Sequence, residues 1–299
     1  MKKEVYYIHF EQNILPQMRK HEEYRLNTVK KIILSSILMF LAGILFAILF
    51  VYFSFKNNNL IVLMLPFFLF FMYAFFIKSI VNAIYEGKKY QEWLVETVLP
   101  YFFEPVANFK FWPKNHDIES IINSQLFENF DTQEDVSAIF GIYQNSNIII
   151  SNTKLTLPVR GAAKTNLFKG TIIQIELPQK IDNHIILISK NLKKANRFKQ
   201  FNPHITELNK YMYSFAKNNN NTDIISEKLW KIIKNIGELY IAKSFAFSYN
   251  KDVLIIALEQ RRPWEFGYIF KSLLKAKNYD ELIERFTVIF DLIDLINKD

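Results

Sequence analysis

The sequence reads as α+β: an N-terminal two-helix transmembrane hairpin, followed by a cytoplasmic domain with a mainly antiparallel sheet and a C-terminal helix. Three features carry that reading. Two long uncharged runs lie close together before residue 85. Short apolar segments broken by turn residues follow from about residue 108, the pattern of strands. The final stretch NYDELIERFTVIFDLIDLINK repeats apolar residues at helical spacing, at Leu282, Phe286, Ile289, Ile293 and Ile296.

The hairpin follows from length and charge. Ile32 to Phe55 is a run of 24 residues without a charge, about 36 Å as a helix against a hydrocarbon core of about 30 Å. Leu60 to Ile77 adds 18 more, and the apolar pattern continues past Lys78 to Ile84. Helices buried in a soluble core rarely run so far without a polar face. The charged residues ahead of the first run, with no small-residue cleavage site after it, fit a signal anchor better than a cleaved signal peptide. Arg19, Lys20, Arg25, Lys30 and Lys31 precede the first span, Lys78, Lys88 and Lys89 follow the second, and the turn between holds only Lys56. The positive-inside rule then places both termini in the cytoplasm and the Lys56–Asn59 turn outside. The abundance of Asn, Ile and Lys points to an AT-rich bacterial genome, so the expected location is the bacterial inner membrane, multi-pass. Gly43 with Ala47, and Ser79 with Ala83, have the small-residue spacing that lets helices approach closely.

The domain boundaries that result are 1–31 (a cytoplasmic N-terminal helix, interrupted at Pro16), 32–84 (the hairpin, 32–55 and 60–84), 85–107 (a membrane-proximal helix ending near Pro100) and 108–299 (the cytoplasmic α+β domain). The last piece has the size to fold alone. Within it, strands are expected at 136–143 and 147–151 around the turn Gln144-Asn145-Ser146, then at 154–157, 167–177 and 185–189. Residues 245–248 and 253–258 form a further hairpin, and 202–216 and 227–236 look helical. A pleckstrin-like barrel closed by the C-terminal helix is an alternative arrangement of the same elements.

Several chemistries are excluded. There is no cysteine, so disulfides, thiolate nucleophiles and cysteine-ligated metals are out. The seven glycines are too scattered for a phosphate-cradling loop of the Walker or Rossmann type. No cofactor and no metal is expected. The net charge is +8, but residues 1–85 alone contribute +5 of it. That places the positive excess beside the oily runs and argues for a lipid bilayer rather than nucleic acid as the partner.

The candidate sites are few. Lys190, Lys193, Lys194, Arg197 and Lys199 form a basic run interleaved with Phe198 and Phe201, suited to an anionic surface or to solvation. Arg261 and Arg262 stand beside Trp264, an arrangement that holds an anionic ligand or marks a plain strand exit. Asp131, Glu134 and Asp135 read as a helix cap or solvated turn, with Thr132 and Asp135 in capping-box positions. His184 and His204 have no partner histidine at metal-binding spacing.

The order of these pieces resembles a known family. A hydrophobic hairpin precedes FDTQEDVSAIFGIY, NLFKGTIIQIELP, HIILISKN and FAFSYNKDVLIIALE, with a terminal helix after them. This is similar to bacterial domain-of-unknown-function family 3137, over roughly residues 20–297. The resemblance is sharpest at Phe168-Lys169-Gly170, although Thr171 and Ile172 depart from the leucine and aromatic that the family tends to place next. It implies membrane anchoring and the fold, and supplies no catalytic residue. The functional expectation is a membrane-anchored cytoplasmic binding or scaffolding module contacting a protein partner, a second copy or anionic lipid. The alternative is a membrane-face enzyme, a hydrolase using Asp and His. Convergence of His184, His204, Asp131 and Arg261 in one pocket would favour the enzyme.

Overall fold

The computed structural model describes residues 3–55, 59–112, 117–128, 130–157, 165–191, 198–218, 225–260 and 270–298. The chain divides into two compact units. One comprises Leu15–Leu94 and Gly267–Leu274; the other gathers Met1–Ile14, Val95–Phe266 and Lys275–Asp299. The division differs from the sequence boundaries at 31 and 107: the first residues of the chain group with the sheet.

The N-terminal helix is α1 (Lys3–His9), a π turn at Phe10–Ile14, and α2 (Leu15–Phe55). Next come α3 (Asn59–Trp93), a second π turn at Leu94–Val98, and α4 (Leu99–Phe103). Both π turns end two residues before a proline, Pro16 and Pro100. A proline ring collides with the carbonyl four residues back, here Gln12 and Glu96, and has no N–H to donate. Widening the turn at that point lets the helix pass the proline without stopping. The expected interruption at Pro16 is therefore a bulge, not a break.

In the helical unit, α2 and α3 pack together. The first part of α2 has a buried face at Met18, Glu22, Arg25 and Thr28, spaced three and four apart. His21 stacks on Trp93, centroids 3.7 Å apart, and Tyr90 is buried beside it in sequence, so both aromatics are used in helix packing. Burial pushes the His21 pKa down. Glu22 accepts from Arg25 Nε and Nη2, both at 2.8 Å. Arg25 thus spends its charge inside the unit, while Arg19, Lys20, Lys30 and Lys31 are exposed. Beyond residue 31 the character of α2 changes. Among its described side chains, a seam at Ile32, Ser35, Met39, Gly43 and Phe46 is half-buried and the others are exposed. Gly43 lies on that seam, but Ala47 is exposed, and with Phe76 they line a groove of about 500 Å³ rather than a tight helix contact. Among the described residues one helix, Lys3–Leu49, is long and apolar enough to cross a membrane.

The other unit is built on one sheet. Its strands are β1 (Asn108–Phe111), β2 (Thr132–Tyr143), β3 (Ser146–Leu157), β4 (Thr165–Glu176), β5 (His184–Ser189), β6 (Lys199–Phe201), β7 (Met212–Ala216), β8 (Ser244–Asn250) and β9 (Val253–Glu259). Short helices α5 (Ile118–Asn123) and α6 (Thr206–Tyr211), and the longer α7 (Glu227–Leu239) and α8 (Asp280–Ile296), complete it. The nine strands run in the order β1-β2-β3-β4-β9-β8-β5-β7-β6, every pair antiparallel. The sheet is open, since β1 and β6 each pair on one side only among the described residues, so the barrel alternative is set aside.

Three local expectations are corrected. Residues 202–216 are not one helix: α6 ends at Tyr211, and Met212–Ala216 turns extended to pair with β5, where Tyr213 and Phe215 suit a pleated surface. Residues 147–151 and 154–157 are a single long strand, β3. No helix follows Thr132, which begins β2; Asp135 instead accepts from Thr153 Oγ1 at 2.6 Å and Gln133 Nε2 at 2.9 Å, so the capping-box reading fails.

Both faces of the sheet are covered. On one face Ile172, Ile186, Ile188, Ala246, Ile255 and Ala257 pack with Ile121 of α5 and Leu126. An aromatic cluster forms around α8: Phe103 of α4 stacks on Phe286 at 4.0 Å, Phe10 meets Tyr279 at 4.9 Å, and Tyr143 stacks on Phe290 at 4.5 Å. Two glycines permit close approach. A Cβ at Gly141 would lie 2.2 Å from the ring of Phe109, and one at Gly170 would lie 1.9 Å from the carbonyl oxygen of Leu258. Gly170 thus has a packing reason to be glycine.

Candidate functional site

A cleft of about 640 Å³ opens at one end of β5, β7 and β8, beside α7. The strand order brings its parts together: β5 lies between β7 and β8, so Ser189-Lys190-Asn191 leaves β5 next to Lys210-Tyr211-Met212 entering β7. The backbone N–H of Lys190 donates to Tyr211 O at 3.0 Å and fixes that edge. Asn191 Nδ2 donates to Lys243 O at 3.1 Å and ties the opposite edge.

Four lysines line the cleft: Lys190, Lys210, Lys234 and Lys243. Two are matched by acids. Lys234 sits 2.7 Å from Glu207 and 3.8 Å from Glu238, and Lys243 sits 3.6 Å from Glu259. The bond to Glu207 raises the Lys234 pKa, and the same bond holds that of Glu207 down. The other two lysines have aromatic partners instead. Lys190 Nζ lies 5.6 Å from the ring centre of Tyr213, and Lys210 Nζ lies 5.3 Å from that of Tyr211. Among the described residues no carboxylate pairs with either.

The floor of the cleft is apolar. Trp230 and Met212 are buried in it, and Trp230 stacks on Phe245 with centroids 6.3 Å apart and planes 24° apart. Gly237 makes room for that ring, since a Cβ there would come within 3.1 Å of Phe245. At the lip stands Ile241, 78% exposed, with φ at +52°. It follows α7 in the left-handed position that ordinarily takes glycine, its N–H bonded to Glu238 O at 3.0 Å.

Of the basic run, Lys190 lines the cleft while Lys199 lies exposed on β6, paired with Ala216. Lys193, Lys194 and Arg197 fall outside the described residues, as do Arg261 and Arg262. Lys210, Lys234 and Lys243 were not singled out from sequence; they are scattered over 33 positions and only the strand order unites them.

His184 occupies a separate polar cavity of about 450 Å³. Its ring is buried, with Nε2 3.2 Å from Ser124 O and 2.9 Å from Ser248 Oγ. A carbonyl oxygen only accepts, so the network assigns the proton to Nε2. Ser248 Oγ in turn donates to Ser124 O at 2.8 Å. Nε2 is therefore a donor toward Ser248, not a base that withdraws its proton. Burial pushes the His184 pKa down to about 4, with the nearby Lys217 charge adding to the effect and the bond to Ser124 opposing it. Asp131 and His204 are exposed, and neither lines the His184 cavity. Among the described residues no group of three histidine or acidic side chains could hold a metal ion.

No protein-family model matches the chain, and no curated protein matches it. Among solved structures, the mycobacterial trehalose monomycolate transport factor A, TtfA, is similar over 62% of this chain and 86% of its own, at 10% identity and a TM-score of 0.36. A score of that size carries neither fold nor function across.

Proposed function

We propose that the chain is a membrane-anchored binding module whose sheet unit holds an anionic ligand in the lysine cleft. The observation that carries this reading is the set of four lysines that line one cleft, two of which, Lys190 and Lys210, have aromatic rings and, among the described residues, no carboxylate as neighbours. An anion that meets Lys190 or Lys210 gains a charge-assisted contact without displacing an ion pair seen among the described residues. A chain carrying an apolar helix that can cross a membrane meets anionic headgroups as its most abundant ligand of this kind.

In this reading α2 and α3 both span the bilayer, with residues 56–59 outside and both termini in the cytoplasm. The long apolar character of α3 and the exposed Arg19, Lys20, Lys30 and Lys31 ahead of the first span support it. The resemblance to domain-of-unknown-function family 3137 supports the same layout. The enzyme alternative draws no support from His184, whose Nε2 proton is committed to Ser124 and Ser248.

The test is purification of the full chain with membrane lipid retained. Anionic lipid should be enriched over the bulk membrane by mass spectrometry, and the enrichment should be lost in a Lys190→Gln, Lys210→Gln variant of unchanged melting temperature. Equal lipid composition in parent and variant would end this reading. A reporter fused after Asp299 tests the topology, and should be active only in the cytoplasm.

A further inference from the structure

We infer that the polar cavity beside His184 binds a small hydroxylated anion, its hydroxyl donating to His184 Nδ1 and its charged head meeting Lys217 and Lys251. This site is separate from the lysine cleft: β5 begins at His184 and ends at Ser189, so the two stand at opposite ends of one strand.

The strand register builds the cavity. His184 pairs with Asn250 of β8, and on its other side Lys217, just past β7, donates its N–H to His184 O at 3.0 Å. Residues opposite one another on neighbouring strands present their side chains on one face of the sheet. The end of α5 is pinned over that row. Ser124 O accepts from His184 Nε2 and Ser248 Oγ, and Asn123 O accepts from Asn250 Nδ2 at 3.3 Å. Three side chains of the sheet thus hold the α5 end in place and fix the shape of the space between. Its volume of about 450 Å³ is far more than the roughly 30 Å³ share of one water molecule and falls in the range of small-molecule sites.

The hydroxyl follows from His184. The residue is 4% exposed, and its Nε2 proton is committed to Ser124 and Ser248. Nδ1 therefore keeps its lone pair and can only accept. Among the described residues nothing donates to Nδ1, and it is not one of the sealed side-chain atoms that lack a partner, so it opens to the cavity. A ligand meets it with a donor. The Lys217 charge is felt at this ring, where it lowers the His184 pKa, and it repels a ligand ammonium in the same way. A hydroxyl donates without that penalty.

The anion follows from the charges around the same space. Lys217 and Lys251 both line it, and neither is ion-paired among the described residues. Asp252, the one carboxylate in the described lining, is matched by Lys180 at 3.1 Å. The lining is left with a positive excess, which an anionic head offsets through charge-assisted bonds. The amides of Asn123 and Gln125 stand in the same lining, each able to donate to and accept from further hydroxyls.

The experiment uses the full chain in phosphatidylcholine nanodiscs, titrated calorimetrically with sorbitol 6-phosphate, sorbitol and inorganic phosphate, with empty nanodiscs subtracted. Sorbitol 6-phosphate should bind, and sorbitol and inorganic phosphate should each bind at least about tenfold more weakly, the ratio that separates a two-part ligand from either part. A Lys217→Gln, Lys251→Gln variant changes two exposed residues and should lose at least about tenfold in affinity for sorbitol 6-phosphate at an unchanged melting temperature. The Lys190→Gln, Lys210→Gln variant should retain this binding. In chain labelled with nitrogen-15 histidine, the Nδ1 signal of His184, identified by its loss in His184→Gln, should move when sorbitol 6-phosphate saturates the chain. No binding of sorbitol 6-phosphate overturns the proposal. Equal affinity for inorganic phosphate, or an unmoved Nδ1 signal, overturns the hydroxyl contact. Binding lost in the Lys190 and Lys210 variant but kept in the Lys217 and Lys251 variant overturns this site and leaves the anion reading of the lysine cleft standing.

Discussion

Isoleucine, leucine and phenylalanine meet opposite fates in the two units. In α2, Leu38, Phe40 and Ile48 are 58%, 70% and 61% exposed. In β5, Ile185 through Ile188 are at most 2% exposed. The residue types are the same, and what differs is whether the fold supplies a second layer. The sheet is covered on both faces; α2 past residue 31 packs with α3, and among its described side chains only one seam is half-buried. At roughly 25 cal/mol per Å² of apolar surface, leaving side chains of that size in water is costly, which is why the proposed reading puts the helical unit in lipid. One unit is stable by its own packing; in the proposed reading the other is stable by its solvent.

The largest effect expected from this difference concerns where the self-packed unit begins. A fragment of residues 108–299 lacks Tyr6, Phe10, Phe102 and Phe103, all fully buried, and bares the face of α8 that carries Phe286. Losing one buried aromatic costs about 3–5 kcal/mol, and several together exceed the whole stability of a typical domain. This fragment should show no cooperative melt, although its size alone suggests that it folds. In the full chain, Phe103→Ala should cost about 3–5 kcal/mol by denaturant unfolding. A cooperative melt from the fragment would show that the flanking segments are ornaments of the sheet unit.

The helical unit has a comparable weak point. Glu22 and Arg25 are buried together, their side chains 10% and 5% exposed. Removing one partner strands the other charge, so Arg25→Ala should destabilise by about 3–5 kcal/mol in detergent. Glu22→Gln combined with Arg25→Met should recover much of that loss. A double-variant loss equal to the sum of the two single losses would mean that the pair carries no coupling.

A somewhat smaller effect belongs to pH. His184 titrates at about 4 in the folded chain against an ordinary 6.5. The folded state then binds fewer protons than the unfolded state between these values. The stabilising contribution is complete above pH 6.5, declines as pH falls from 6.5 to 4, and is lost below 4. The full span is about 3 kcal/mol. The melting temperature should fall through this window, and His184→Gln should flatten the decline. An unchanged slope in the variant would place the proton uptake elsewhere.

How much of this was legible depends on the range over which each feature is determined. The apolar helix, the β2–β3 and β8–β9 hairpins and α8 are set by neighbouring residues: uncharged length, turn chemistry and helical spacing. Residues 212–216 were misread because a helical stretch, Thr206–Tyr211, runs straight into them, and only pairing with β5 decides that Met212 turns extended. The lysine cleft was legible in one residue, Lys190, because the others join it through the order β8-β5-β7, which no local pattern encodes. The Asp131–Asp135 carboxylates failed in the opposite sense: a locally plausible cap was overridden by the long β2–β3 ladder.

The smallest effect isolates the sheet unit. Gln144 and Asn145 join β2 to β3 with φ of +46° and +62°, both in the left-handed region. Two successive positive φ values are the mark of a type I′ turn, whose twist matches that of the flanking strands. Asn145 tolerates the conformation, but Gln144 has no short polar side chain to offset it. Gln144→Gly should remove that strain and gain about 0.5–1 kcal/mol, somewhat less than the full αL penalty because glycine also loosens the unfolded chain. The gain should appear only in the unfolding transition of the sheet unit. The Arg25-dependent transition of the helical unit should stay where it is, because Gln144 and Asn145 belong to the sheet unit. A shift of both transitions together would show that the two units melt as one, and would break the contrast between a unit that buries its apolar residues and a unit that exposes them.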